Sequence, residues 1–153
     1  MVTRVGWMSR RKLLGQVDQA RLVEAIRRAE LATSGEIRVC VARLFWGDVY
    51  KAAERAFDRL GMRRTSQRNG VLFFVVPARR RFAVLGDSGI HEKVGQAFWE
   101  GVTAALSKRF REGDFTGGLV DGIEMVAVEL AKHFPYDAAT DRNELSDEVD
   151  FET

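Results

Sequence analysis

The chain has 153 residues, of which 46% are hydrophobic and 30% charged, the composition of one globular domain rather than two. Lys and Arg total 24 against 22 Asp and Glu, and a net charge of +2 makes no general case for nucleic-acid or membrane binding. The single cysteine, Cys40, excludes an internal disulfide framework and a Cys-rich zinc ribbon.

At the amino terminus, charges interrupt each apolar stretch, and Arg10-Arg11-Lys12 stands beside Trp7. Residues 1–16 therefore read as a basic arm without an export signal. No run of about 18 apolar residues occurs, so the sequence predicts no membrane span, and the expected location is cytoplasmic. Residues 17–134 form the predicted domain. Asp18 stands as an N-cap before Leu22, Ile26 and Ala29, which share a helical face, and this predicts a helix over 18–33 that stops at Ser34-Gly35. Glu36 to Ala42 then alternates as a strand, with Ile37, Val39 and Val41 on one face and Cys40 on the other as a small buried hydrophobe.

Asp48 precedes a second helical stripe of Val49, Ala52, Ala53, Ala56, Phe57 and Leu60, which Gly61 ends as a left-handed cap. The unbroken apolar run Val71 to Val76 predicts a strand covered on both faces. Pro77-Ala78-Arg79-Arg80-Arg81 turns it into Phe82 to Leu85, an antiparallel hairpin. Val94, Phe98, Val102, Ala105 and Leu106 mark a third helix. Leu119, Ile123, Val126 and Leu130 mark a fourth, after the turn Glu112 to Gly118. Beyond Phe134-Pro135, helical periodicity is lost and acids dominate, so residues 135–153 read as an acidic tail docked on basic surface, with Arg63, Arg64 and Arg68 the nearest targets.

This order of elements predicts an α/β fold, a three-layer α/β/α sandwich with a small mixed sheet and helices on both faces. The strands at 36–42 and 71–76, joined through a helix, are expected to be parallel. That topology gathers Glu36, Arg68-Asn69-Gly70 and Gly86-Asp87-Ser88-Gly89 at one sheet edge. Asp48, Asp114 and the hairpin arginines fall at the opposite edge, roughly 20–25 Å away.

Five segments carry a family resemblance: Ala29 to Val39, Phe57-Asp58-Arg59-Leu60-Gly61-Met62, Arg68-Asn69-Gly70-Val71-Leu72, Gly86-Asp87-Ser88-Gly89-Ile90, and Phe110 to Phe115 leading to Gly118-Leu119. Together they span about 18–133, and the chain resembles the TPM domain family of thylakoid-lumen photosystem-repair proteins and bacterial relatives. The resemblance implies the same sandwich and two kinds of activity: a weak acid phosphatase, or a divalent-cation-binding module. Many relatives carry an export signal and a membrane tail, and neither is expected here, so a membrane-bound role does not carry over with the resemblance.

The residues themselves offer little phosphatase chemistry. Cys40 has no phosphate-cradling loop with an arginine, His91 and His133 lie far apart in the helical half, and Asp87 repels a phosphate unless a cation intervenes. Calcium or magnesium suits Glu36 and Asp87, with Ser34 and Asn69 completing a shell of hard oxygens. The competing reading is structural: Arg68 pairs with Glu36 or Asp87 and closes the edge. Asp48 and Asp114 offer an alternative ion site at the other edge, or serve as helix N-caps. The arginines form no continuous stripe, which argues against nucleic acid. The hairpin arginines are expected to be a solvated turn, or else to meet an acidic protein or anionic lipid. Trp46 and Trp99 read as core or half-buried packing residues. The expected function is a non-enzymatic, divalent-cation-binding module that supports assembly or quality control of a membrane protein complex, with a protein partner. A weak metal-assisted acid phosphatase is the alternative, with no catalytic residue assignable.

Overall fold

A computed structural model describes residues 2–4, 18–76, 79–137 and 149–152. Strand β1 (Val2–Arg4) is followed by helix α1 (Gln19–Glu30), strand β2 (Glu36–Ala42) and helix α2 (Val49–Arg59). A short 3₁₀ turn at Met62–Arg64 leads to the hairpin of β3 (Gly70–Val76) and β4 (Arg81–Gly86). Helices α3 (Ser88–Arg111) and α4 (Phe115–His133) and strand β5 (Asp150–Glu152) are the remaining elements of the described residues. Among the described residues the strands form one five-stranded sheet in the order β1-β4-β3-β2-β5. Strands β2 and β3 are parallel, and β3 and β4 antiparallel, as the connections required.

Period-two alternation divides the core between the two faces of the sheet. Ile37, Val39, Val41, Val71, Phe73 and Val75 face α1, α3 and α4, whereas Cys40, Ala42, Leu72, Phe74 and Val76 face α2. Strand β3 is buried along its whole length, which explains its continuous apolar run. Phe73 and Phe74 are among the largest fully buried side chains, and each contributes about 1.5–3 kcal/mol by leaving water.

Asp18, Asp48 and Asp114 cap α1, α2 and α4, their side chains accepting from the backbone N–H of Arg21, Tyr50 and Gly117. Helix α1 ends at Glu30, short of the expected residue 33. Thr33 is instead taken by a bridge to Pro135, and its hydroxyl donates to the carbonyls of Leu130 and Phe134. The third helix starts earlier than its periodicity showed, at Ser88, and is interrupted at Gly95, where φ is +75°.

Arm and tail reach the sheet. Val2–Arg4 pairs antiparallel with β4, and Asp150–Glu152 pairs parallel with β2, placing Asp150 beside Cys40. The tail's described end therefore does not dock on Arg63, Arg64 or Arg68. Its Asp150 meets Arg59 at 2.8 Å and accepts from Cys40 Sγ at 3.3 Å, while Val149 and Phe151 pack against the core. A three-residue strand is too short for periodicity to show, because most of its pairing comes from backbone that every residue has. Trp7, Arg10, Arg11 and Lys12 lie outside the described residues, as do Pro77 and Ala78 of the hairpin.

Candidate functional site

Parallel pairing places Glu36 opposite Gly70, and antiparallel pairing brings Gly86, the residue before Asp87, beside Val71. Two backbone bonds tie these chain ends together: Glu36 N–H donates to the Asn69 carbonyl at 3.4 Å, and Asp87 N–H to the Gly70 carbonyl at 2.9 Å. Glu36, Asn69 and Asp87 are thus gathered at one edge, and all three are buried. Ser34 joins them, its hydroxyl oxygen accepting from Gln67 Nε2 at 2.9 Å and Asn69 Nδ2 at 3.2 Å.

Arg68 decides the chemistry of this edge. Its Nε reaches Asp87 Oδ2 at 2.8 Å and its Nη2 reaches Oδ1 at 3.1 Å, a two-pronged grip on a carboxylate whose side chain is 1% exposed. Oδ1 also accepts from Ser88 N–H at 2.7 Å, capping α3, and Arg63 Nη1 stands 3.7 Å from the same oxygen. The hydrogen bond to Asp87, together with the carboxylate's charge, holds the Arg68 guanidinium above its ordinary pKa. Arg63 is itself held over the Phe57 ring at 5.2 Å and against Asp58. Of the two ion pairs open to Arg68 from the sequence, the structure forms the one with Asp87.

Gly86-Asp87-Ser88-Gly89 owes its glycines to close packing. A Cβ on Gly86 would stand 2.2 Å from Trp99 Cζ2, and one on Gly89 would stand 2.2 Å from the Gln67 carbonyl oxygen. Gly89 N–H donates to the Arg68 carbonyl at 2.8 Å, so the loop before β3 lies over the first turn of α3. The place where an anion would meet that helix start is filled by the loop and by Asp87's own carboxylate.

Other sequence-predicted groups are engaged elsewhere. Asp48 and Asp114 cap helices on opposite faces of the sheet, and Asp114 Oδ2 also meets Arg109 at 3.3 Å. Cys40 is fully buried. His91 Nδ1 accepts from Trp99 Nε1 at 3.1 Å, and His133 faces Glu129 at 3.3 Å. Among the described residues, no group of three or more His, Cys, Asp or Glu side chains is placed to hold a metal ion. With Asp87 already gripped by a cation of the protein's own, the Glu36 and Asp87 set as arranged does not fit a divalent ion.

Sequence reasoning missed Gln67, and it set Arg63 toward this edge as a target for the tail rather than as a neighbour of Asp87; it also misplaced Trp46. Trp99 is buried as expected, but Trp46 is 79% exposed. Phe45, its neighbour, takes the packing role against the α2-face core. Between α1 and α4 lies a shallow trough of about 380 Å³ lined by Ala29, Ala32, Ala127, Val128 and Ala131, with Arg28 and Glu124 also on its walls. No helix of the described residues is long and apolar enough to cross a membrane.

The comparisons with known proteins agree with this geometry. The chain is similar to the BA42 protein of the psychrophilic bacterium Bizionia argentinensis, at 39% identity and a TM-score of 0.80, covering 87% of this chain and 91% of that one. It shares its fold with the N-terminal domain of the cg2496 protein of Corynebacterium glutamicum, at 16% identity and a TM-score of 0.54, covering 76% and 75%. No curated protein matches the chain. The family model for the TPM domain matches residues 8–129, a span that contains the whole Glu36, Arg68 and Asp87 edge, and the chain therefore belongs to the TPM domain family.

Proposed function

We propose that this TPM domain is a non-catalytic interaction module that supports the assembly or quality control of a membrane protein complex. The observation that carries the non-catalytic reading is the grip of Arg68 on the buried Asp87 carboxylate. A nucleophile or general base needs a free lone pair aimed at substrate, and a metal ligand needs one aimed at the ion. Asp87 is buried, and both of its oxygens are engaged by Arg68 or Ser88, so either role requires the edge to open first. Family membership supports the module reading and leaves the partner to be identified by its chemistry.

A specific observation favours a second reading. Asn69 Oδ1 is buried and has no hydrogen-bond partner among the described residues, a hard oxygen that a divalent cation would satisfy if Arg68 withdrew. A weak, metal-assisted phosphatase requires that same opening. The test is turnover of p-nitrophenyl phosphate with and without calcium or magnesium, by the chain and by Asp87→Asn, which retains an N-capping side chain. The module reading expects no turnover that follows the protein through repurification. Turnover that does so, and that disappears in a folded Asp87→Asn variant, overturns it. In-cell crosslinking tests the partner: recovery of membrane-complex subunits supports the reading, and recovery of unrelated proteins alone counts against it.

A further inference from the structure

The edge opposite Glu36 and Asp87 carries a second surface that the module reading does not use. Strand register brings two chain reversals together there. Val41 lies beside Val75, so Ala42 at the end of β2 is next to Val76 at the end of β3, and Val76 pairs with Arg81. The loop 43–48 leaves from Ala42, and Arg79 and Arg80 lead into Arg81, the partner of Val76, with neighbouring strands about 4.8 Å apart. The backbone of Arg81 pairs in turn with that of Arg4 on β1.

Trp46 is 79% exposed and Leu44 46% exposed on the first loop. Their exposure is imposed by anchors on either side. Phe45 packs into the α2-face core, Asp48 caps α2, and Arg55 Nη2 donates to the Trp46 carbonyl at 3.5 Å. Arg43, Arg79 and Arg80 are exposed toward the same edge, and Arg81 is half-buried. Arg59, Arg63, Arg68 and Arg109 each hold a carboxylate. Arg43, Arg79, Arg80 and Arg81 form no ion pair with another described residue. Of the acids toward this edge, Asp48 is committed to Tyr50 N–H and Asp114 is shared between Gly117 N–H and Arg109. Glu152 stands beside Ala42 in register.

We propose that this edge docks the protein on an anionic lipid bilayer, with Trp46 and Leu44 entering the headgroup layer and the four arginines meeting lipid phosphates. Tryptophan with a basic surround is the composition of a membrane interface. The shape also favours a bilayer. The exposed side chains here, Leu44 and Trp46 on one loop with Arg79 and Arg80 near the end of β3, form a small surface, whereas a stable protein interface needs about 800 Å² per partner. Nucleic acid is disfavoured because Arg63, Arg64 and Arg68 lie at the other edge, leaving no continuous basic track.

The experiment is co-sedimentation of the full chain with vesicles of phosphatidylcholine, alone or with about one-third phosphatidylglycerol. Binding to the anionic vesicles, weakened by salt, is expected, with little binding to the neutral ones. Arg79→Gln with Arg80→Gln should weaken partitioning by roughly 25-fold, about fivefold for each arginine. Trp46→Ala should weaken it further at unchanged charge. The charge-matched control, Arg21→Gln with Arg64→Gln, should stay within about twofold of the parent. Absence of binding to anionic vesicles at low salt overturns the proposal. So does equal loss in the control pair, which would reduce the effect to net charge. Tighter binding to polyglutamate than to vesicles, indifferent to Trp46→Ala, would assign the surface to an acidic protein instead. None of these results depends on phosphomonoester turnover, so this proposal and the module reading can fail separately.

Discussion

Two glycines in α3 make opposite predictions from the same substitution. Replacing a helical glycine by alanine is worth up to about 1 kcal/mol in propensity, and propensity alone predicts that both Gly89→Ala and Gly101→Ala stabilise the protein. At Gly101, nothing lies within 4 Å of the added Cβ, so the gain should be realised. At Gly89, the added carbon would stand 2.2 Å from the Gln67 carbonyl oxygen and 2.6 Å from that of Arg68. Both are backbone atoms, and neither can rotate away. Forced overpacking costs about 1–3 kcal/mol, and disturbing the Gly89 N–H bond to Arg68 adds about 0.5–1.5 kcal/mol. Sterics should therefore exceed propensity, for a net loss of about 2 kcal/mol. In a chain of this size each kcal/mol moves the melting temperature by about 2–4 °C, so Gly89→Ala should fall by about 4–8 °C and Gly101→Ala rise by about 2–4 °C. Thermal and urea unfolding followed by circular dichroism measure both. A Gly89→Ala protein as stable as the parent, or two shifts of the same sign, would refute the close packing of loop 67–68 on α3.

The remaining predictions concern the sheet edges. Burial pushes the Asp150 carboxyl up, but hydrogen bonds from Arg59 and Cys40, with the charges of Arg59 and Arg38, outweigh it and hold the group below its ordinary 3.8. A depressed carboxylate contributes stability that is fully present above its unfolded pKa and is lost as pH falls through the folded value. Strand β5 should therefore stay paired at neutral pH and loosen only in acid below that ordinary value, as read by the amide shifts of residues 150–152; release near pH 6 would contradict this. Truncation after Asp137 should speed amide exchange at residues 40–42 and the reaction of Cys40 with a thiol reagent, while residues 63–70 stay unchanged. Accelerated exchange at 63–70 instead would place the tail on the arginines there. Saturating calcium or magnesium should leave the melting temperature of the chelator-treated chain unchanged. A cation at 100 times its dissociation constant would add about 2.7 kcal/mol, and the resulting rise of several degrees would favour the cation reading of the Glu36 and Asp87 edge.

Much of this architecture was legible from local chemistry. Ile37, Val39 and Val41 alternate with Arg38 and Cys40 because successive strand residues face opposite sides, so β2 and the placement of Cys40 could be read directly. Asp18, Asp48 and Asp114 announced their helices because an N-cap is a bond between near neighbours in sequence. Connection lengths fixed the parallel and antiparallel pairings, and those pairings gathered Glu36, Asn69 and Asp87 at one edge before any side chain was placed. Tertiary structure decided the rest. Whether Arg68 would take Glu36 or Asp87 depended on loop 65–69 lying over the start of α3, a contact between distant segments that no local pattern encodes. The short edge strands β1 and β5 are built from backbone pairing with partners far along the chain, and Asp150 finds Arg59 only because β5 lies alongside β2. Trp46 and Phe45 are adjacent aromatic residues with nearly the same claim on a core. Which one turned inward was settled by the path of the loop between β2 and α2, and that path left tryptophan at the surface.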